Sequence, residues 1–156
     1  MRTKFYAIVS CICLVMTVSL NSCGDKEKDS NEVDKMSSEV NEAIENDDFA
    51  TAYKIVDPWF KRHDDVTTRD AAFQLNEKIL KNEIANLVAT DSNGDNGARI
   101  IFAIGERAKY NGYWPSVSDS HELREKAKML KYAIEISSLN GDMALTEKLE
   151  SVLSNY

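Results

Sequence analysis

The sequence predicts an all-α fold of about six helices, paired as three antiparallel hairpins in an α-solenoid or an irregular helical bundle. Apolar residues recur at steps of three and four, which is the period of a helix and not of a strand. Proline is scarce, with only Pro58 and Pro115. Similar breaks at 46–48, 93–95 and 140–142 follow one another at intervals of 47 residues. Equal spacing of this size is typical of paired-helix repeats, and chance recurrence of common turn residues is the alternative.

Residues 1–22 form the first predicted element, a signal sequence. Arg2 and Lys4 precede an apolar run over 5–20, and small polar residues then lead to Cys23. This order of basic, apolar and small residues is typical of a secretory signal. One alternative is an uncleaved membrane span, which needs about 20 apolar residues, and the run is shorter and interrupted. The other is a plain signal peptide, whose A-x-A-like cleavage site the sequence lacks.

The residues Leu20-Asn21-Ser22-Cys23 resemble the lipobox of bacterial lipoproteins, although Asn21 departs from the small or apolar residue that is commonest there. The resemblance implies that the Cys23 thiol takes a diacylglyceryl group and that the signal is then removed. It also implies that the new amino terminus is acylated, for example with palmitate. Two or more acyl chains anchor a protein stably, whereas one chain holds only marginally.

Residues 23–32 are predicted to be a flexible tether, because the stretch that follows Cys23 is charged and contains no apolar residue. Asp25, Glu27 and Asp29 in it are similar to the acidic signals with which some gram-negative lineages send lipoproteins to the cell surface. The alternative is an ordinary spacer on a lipoprotein that faces the periplasm. We therefore expect a lipid-anchored protein of the bacterial outer membrane or cell surface.

The charge of the chain excludes some partners. Of its 19 basic residues, Arg2 and Lys4 precede Cys23, so 17 basic residues face 26 acidic ones from Cys23 onward, a net charge of −9. Such a body repels phosphate backbones, and we expect no nucleic-acid binding. An anionic bilayer would repel it too, so any membrane attachment must be apolar or covalent.

Residues 33–156 form the predicted helical domain. Its helices are indicated by apolar stripes within 33–44, 72–88, 98–108, 123–134 and 145–153. At each break an Asn or Gly is expected to end one helix in the left-handed conformation, and the following Asp to cap the next. Pro58 is predicted to start a short extra turn capped by Asp57, with a kink in the second helix as the alternative.

The stretch 46–56, NDDFATAYKIV, resembles the start of the second helix of a tetratricopeptide unit. Phe49 and Ala52 stand where that family places its aromatic and its small packing residue. Thr146 and Arg99 stand at the corresponding small position in the last and middle hairpins, and the interval exceeds the family's period of about 34 residues. The resemblance is to TPR-like repeats as a class, and it carries over no functional residue.

No motif for catalysis is found, and we expect no enzyme activity, no cofactor and no metal. His63 and the two following aspartates are interpreted as a solvated turn rather than a metal site. Asp91, Asn93 and Asp95 match the first, third and fifth positions of a calcium loop, but Phe102 replaces the bidentate Glu at the twelfth. A plain hairpin turn is the favoured interpretation there, and weak calcium binding is the alternative.

Aromatic residues near helix ends are the remaining candidates for a binding site: Trp59, Tyr113 and Trp114. The favoured interpretation is that such residues close the core, and Trp114 beside Pro115 is the one expected to stay exposed. The sequence thus predicts a lipid-anchored helical-repeat module that binds another protein of the cell envelope. The alternative is a surface lipoprotein that binds or processes a glycan or other small ligand.

Overall fold

The computed structural model describes residues 25–61, 66–111 and 119–156, and all regular structure in these ranges is helical. The α-helices are α1 (Asp25–Glu45), α2 (Phe49–Val56), α3 (Val66–Ala89), α4 (Gly97–Arg107), α5 (Asp119–Leu139) and α6 (Met143–Leu153). Two 3₁₀ helices, Asp57–Lys61 and Ala108–Tyr110, follow α2 and α4. The predicted all-α fold with six helices is confirmed, and so is the extra turn at Pro58.

Each hairpin consists of a long helix followed by a shorter one, and the three hairpins stack through their long helices α1, α3 and α5. Tyr53 in α2 contacts Glu83, while Phe60, further along the chain, stacks on Phe73, so this stretch runs antiparallel to α3. Since α2 also runs back along α1, the long helices α1 and α3 are parallel. The hairpin turns therefore lie at one end of the stack.

The turns repeat in the backbone conformation as well as in the sequence. Asp47, Gly94 and Gly141 have φ angles of 56°, 78° and 76°, and they follow one another at the interval of 47 residues. At the first break the left-handed residue is Asp47, not Asn46. Asp48 and Asp142 then cap α2 and α6 by accepting a backbone N–H bond of 3.0 Å, as predicted.

The middle turn differs from the other two, and the prediction that Asp95 caps α4 is wrong. Asn96 is the residue that precedes α4, and its side chain makes no capping bond. The Asp91 carboxylate instead accepts the backbone N–H groups of Gly94 and Asn96, at 2.6 and 2.5 Å. These bonds occupy both oxygens of the first residue of the candidate calcium loop. In the described ranges no three acidic, His or Cys side chains are grouped to hold a metal.

The first helix begins earlier than the apolar stripe indicates. α1 starts at Asp25, so residues 25–32, predicted to be a flexible tether, are helical in the structure. Lys and Glu have good helix propensity, so a charged stretch can extend a packed helix. Cys23 and the rest of residues 1–24 lie outside the described residues. No helix in the described ranges combines the length and apolarity that crossing a bilayer requires.

The buried side chains form two clusters that share α3. The N-terminal cluster joins α1, α2, the 3₁₀ turn after α2 and the first half of α3. The C-terminal cluster joins the second half of α3 to α4, α5 and α6. The predicted stripe of α4 needs correction: Ala98 is exposed, while Ile100, Ala103 and Ile104 are buried. Leu123, predicted to face the core from α5, is also exposed.

Candidate functional site: a groove between α2 and α4

The second helices of the first two hairpins, α2 and α4, face each other across a groove of about 1350 Å³. On its other side α4 packs against α6. Glu83 brings α3 into the wall of the groove, and the 3₁₀ turns after α2 and α4 contribute Phe60 and Tyr110. The groove thus lies where the stack of shorter helices is open.

One part of the groove rests on a stack of three aromatic rings. The Phe60 ring lies between Phe73 and Tyr110, with centroid distances of 4.9 and 4.8 Å and nearly parallel planes. Phe73 belongs to the N-terminal core, whereas Phe60 and Tyr110 line the groove. Because such stacks add to the stability of area burial, the groove has a firm apolar base.

Four side chains form a polar network in the groove. The Tyr53 hydroxyl donates a 2.8 Å hydrogen bond to Glu83 Oε2. The Arg107 guanidinium lies 3.9 Å from the centre of the Tyr53 ring and pairs with Asp57 at 2.6 Å. Burial, followed by the nearby Glu83 carboxylate, raises the pKa of Tyr53 well above its usual value, so the phenol keeps its proton. The carboxylates of Asp57 and Glu83 are both occupied by these partners.

The core holds Arg107 in place. The fully buried Asn76 of α3 donates its side-chain N–H groups to the Arg107 backbone oxygen at 3.0 Å and to Asn111 Oδ1 at 2.9 Å. A buried amide of this kind is costly to disrupt, because its partners would lose their hydrogen bonds away from water. The guanidinium therefore projects into the groove from a well-supported backbone.

Phe102 forms the most exposed apolar part of the groove wall. Its exposed fraction is 71%, although it lies in the middle of α4. Ala50 and Ala98, on the facing helices α2 and α4, also line the groove, and both are exposed. An exposed aromatic side chain beside small residues offers a bound segment an anchor and room for close approach.

Of the candidate site residues that the sequence singled out, the structure describes Trp59. Trp59 is half-buried, packs against the N-terminal core and does not line the groove. Tyr113, Trp114 and Cys23 lie outside the described residues. The contact of Trp59 with the core agrees with the favoured interpretation, and its role in binding stays a prediction.

Tyr53, Phe102 and Arg107 line the groove but were not predicted to do so from the sequence. Phe102 carried a usable signal, because an aromatic residue off the apolar stripe of a helix must find another environment. Tyr53 carried none, since it stands within the continuous apolar face of α2 and is itself buried. Arg107 stands at the end of α4, where a basic residue is expected for the helix dipole alone.

A second, smaller depression of about 560 Å³ lies on the opposite side of the stack, between α3 and α5. Its cations are partly neutralised, since Lys81 and Lys128 pair with Glu77 at 2.8 and 2.9 Å. Burial raises the pKa of Glu77, but the hydrogen bonds and charges of these two lysines have the larger effect, so the pKa of Glu77 is lowered overall. One aromatic ring lines this depression, that of the half-buried Tyr132, and Lys81 lies over it. The α2–α4 groove has a stack of three rings and an exposed Phe102, and it is therefore the better candidate site.

The chain matches no family model, and comparisons with curated proteins and with solved structures find no similar protein.

Proposed function

We propose that the protein is a lipid-anchored, non-enzymatic module of the bacterial cell envelope that binds a segment of another protein in the groove between α2 and α4. The observation that carries the binding part is the groove itself, open to solvent and based on stacked rings. Aromatic side chains that are held rigid and partly exposed are typical anchors of protein interfaces. The two carboxylates of its polar network are engaged by Arg107 and Tyr53, which suits a binding surface better than acid–base chemistry.

The anchoring part rests on the lipobox resemblance at Cys23 and on the acidic residues that follow it. α1 starts two residues after Cys23, so a lipid there would sit at the end of the stack opposite to the hairpin turns. At 1.5 Å per residue, the helical stretch 25–32 is about 12 Å long, and it would add this length to the reach of the anchor. Confinement to the membrane raises the effective concentration of the module near partners in the same envelope.

Anchoring is tested by labelling cells with a palmitate analogue. The wild-type protein should incorporate the label, fractionate with membranes and lose residues 1–22, as shown by mass spectrometry of the mature amino terminus. A Cys23→Ser variant should remain unlabelled. An unmodified thiol in the wild-type protein would refute the anchoring proposal, and digestion by protease added to intact cells would distinguish the cell surface from the periplasmic face.

Protein binding is tested by site-specific photo-crosslinking in intact cells. A photoreactive amino acid in place of Ala98, in the groove, should crosslink to a discrete protein, whereas the same group in place of Lys131 on the α5 surface should not. Adding Phe102→Ser to the variant labelled at position 98 should abolish that product. Identical products from both positions would argue against a specific site in the groove.

The alternative function, glycan binding, is favoured by one observation, the flat exposed ring of Phe102, on which a sugar can stack. Affinity electrophoresis in envelope polysaccharides compares the wild-type protein with the Phe102→Ser variant. The glycan-binding proposal would be supported if the polysaccharide retards the wild-type protein and not the variant, and if the photoreactive group at position 98 gives no protein crosslink. The protein-binding proposal would then be abandoned.

A further inference from the structure

The rim of the groove is basic, although the chain as a whole is acidic. Lys54 and Lys61 on the α2 side and Arg99 on the α4 side are exposed, line the groove and form no ion pair with any described residue. Among the described lining residues, two acids lack an ion-pair partner: Glu106, and Glu83, which accepts the Tyr53 hydrogen bond but keeps its charge. Three unpaired basic side chains thus face two unpaired carboxylates. Against a net charge of −7, the free charges of this rim are therefore positive on balance.

The size of the groove favours a peptide segment over a small molecule. Pockets for small ligands measure about 300–1,000 Å³ and enclose most of the ligand. The volume here is about 1350 Å³ and the groove is open along its length between two helices. An occupant that fills it must be elongated and must leave one side in water.

The lining of the groove favours a helix over an extended strand. An extended segment leaves its backbone N–H and C=O groups to be satisfied by the receptor, and the described fold has no sheet edge to do so. The base offers aromatic rings, and the nearby carboxylates are already bonded. A helix satisfies its own backbone and needs only apolar contacts below and complementary charges beside it.

We infer that the groove binds an amphipathic, acidic α-helix of a partner protein, with its apolar face on Phe102 and the exposed alanines of α2 and α4 and its acidic residues opposite Lys54, Lys61 and Arg99. The inference rests on the proposed protein-binding function and adds the chemistry and conformation of the partner segment. Such a helix would be attracted to the groove and repelled by most of the remaining acidic surface, which gives the contact orientation as well as affinity.

The test is a phage-displayed library of random peptides, long enough for several helical turns, selected on the full-length protein in detergent. Enriched peptides should combine acidic residues with aliphatic residues at helical spacing, gain helicity on binding, and lose binding when proline is placed mid-sequence. A Lys54→Glu, Lys61→Glu, Arg99→Glu variant should bind them roughly tenfold more weakly, because each exposed ion pair adds only a modest amount.

A matched triple reversal on the α3–α5 depression, Lys81→Glu, Arg124→Glu and Lys131→Glu, makes the same change in net charge and should leave binding unaltered. Phe102→Ser, at an exposed position, should abolish binding while the unfolding curve stays that of the wild type.

The outcomes separate the two proposals. Basic, neutral or extended peptides whose binding needs Phe102 would overturn the acidic helix and leave the binding function in place. If the enriched peptides bind the Phe102→Ser variant as well as the wild type, or if no peptide is enriched, both the acidic-helix inference and the protein-binding function would be refuted. Self-association that Phe102→Ser prevents would show that a second copy of the chain occupies the groove, which also overturns this inference.

Discussion

The two sides of α4 differ, although the same hairpin architecture lies on each. Toward α6 the helices are in direct contact: a side chain at Gly97 would begin 2.7 Å from the Lys148 side chain, whose ammonium group donates a 3.0 Å bond to the Gly94 oxygen. Toward α2 the helices stand apart, with Phe102 and Tyr53 between them. We call these the closed side and the open side of α4.

The contrast shows how a repeated hairpin leaves a groove on one side of α4 and not on the other. Glycine at 94 and 97 lets α6 approach closely, because neither residue carries a side chain that would hold the helices apart. On the open side the stacked rings and the Arg107–Asp57 pair fill the space near α3 and leave the outer part vacant. The size of a few side chains, rather than the helical pattern, decides which interface closes.

The largest difference is expected when one residue on each side is truncated. Leu149 is fully buried on the closed side. Leu149→Ala should lower the free energy of unfolding by about 2–5 kcal/mol, because the substitution leaves a cavity. Phe102→Ala removes a larger side chain but should alter stability by no more than about 0.5 kcal/mol, since that ring is exposed. Urea unfolding measures both. A Phe102→Ala cost equal to that of Leu149→Ala would mean that the open side is closed in solution.

A smaller difference is expected from inserting the same side chain at neighbouring positions of α4. Gly97→Leu forces Lys148 and Leu145 aside on the closed side and should cost about 1–3 kcal/mol. Ala98→Leu adds the side chain in the groove and should leave stability within about 0.5 kcal/mol of the wild type. Ala98→Leu should nevertheless weaken peptide binding, because it fills the groove. Equal destabilisation by the two leucines in thermal unfolding would contradict the assignment of the two sides.

The smallest effect concerns the cap of α2, the helix on the open side. The hydrogen bond from Thr51 lowers the pKa of Asp48, so the carboxylate stabilises the folded chain in its ionised form. In an unfolded chain the pKa of Asp is about 3.9. The contribution is complete above that pH and is lost as the pH falls through the lower folded value.

Asp48→Asn keeps a good cap and removes the titration. The variant should match the wild type near neutral pH and lose stability less steeply in acid, as followed by unfolding over a pH series. Parallel curves for the two proteins would show that the cap does not contribute to the acid response.

The prediction of the fold succeeded where structure is local. A left-handed residue and a following cap act within one turn of chain, so Gly141 and the caps Asp48 and Asp142 could be identified from the sequence. At the first break the left-handed residue is Asp47 and not the expected Asn46. The middle turn was misjudged because Asp91, five residues before the cap position, takes over the backbone N–H groups. The stripes of α1 and α3 were correct, and so was most of that of α4, where Ile104 and Ala108 are buried and Ile101 packs on the core; only Ala98, at the start of α4, is exposed.

The candidate site was largely beyond prediction. Trp59 and Phe60 are adjacent in the sequence, yet Trp59 packs against the core and does not line the groove, whereas Phe60 joins a ring stack that reaches it. Nothing in the local sequence distinguishes them, because the difference depends on Tyr110, fifty residues further along the chain.

The amino-acid sequence alone determined that this protein is helical, where most of its turns fall and that its hairpins recur every 47 residues. These properties follow from side-chain period, capping and backbone freedom, which act over a few residues. Only the tertiary structure decided that α4 closes against α6 and opens toward α2, because contact between helices depends on the shapes of side chains far apart in the chain.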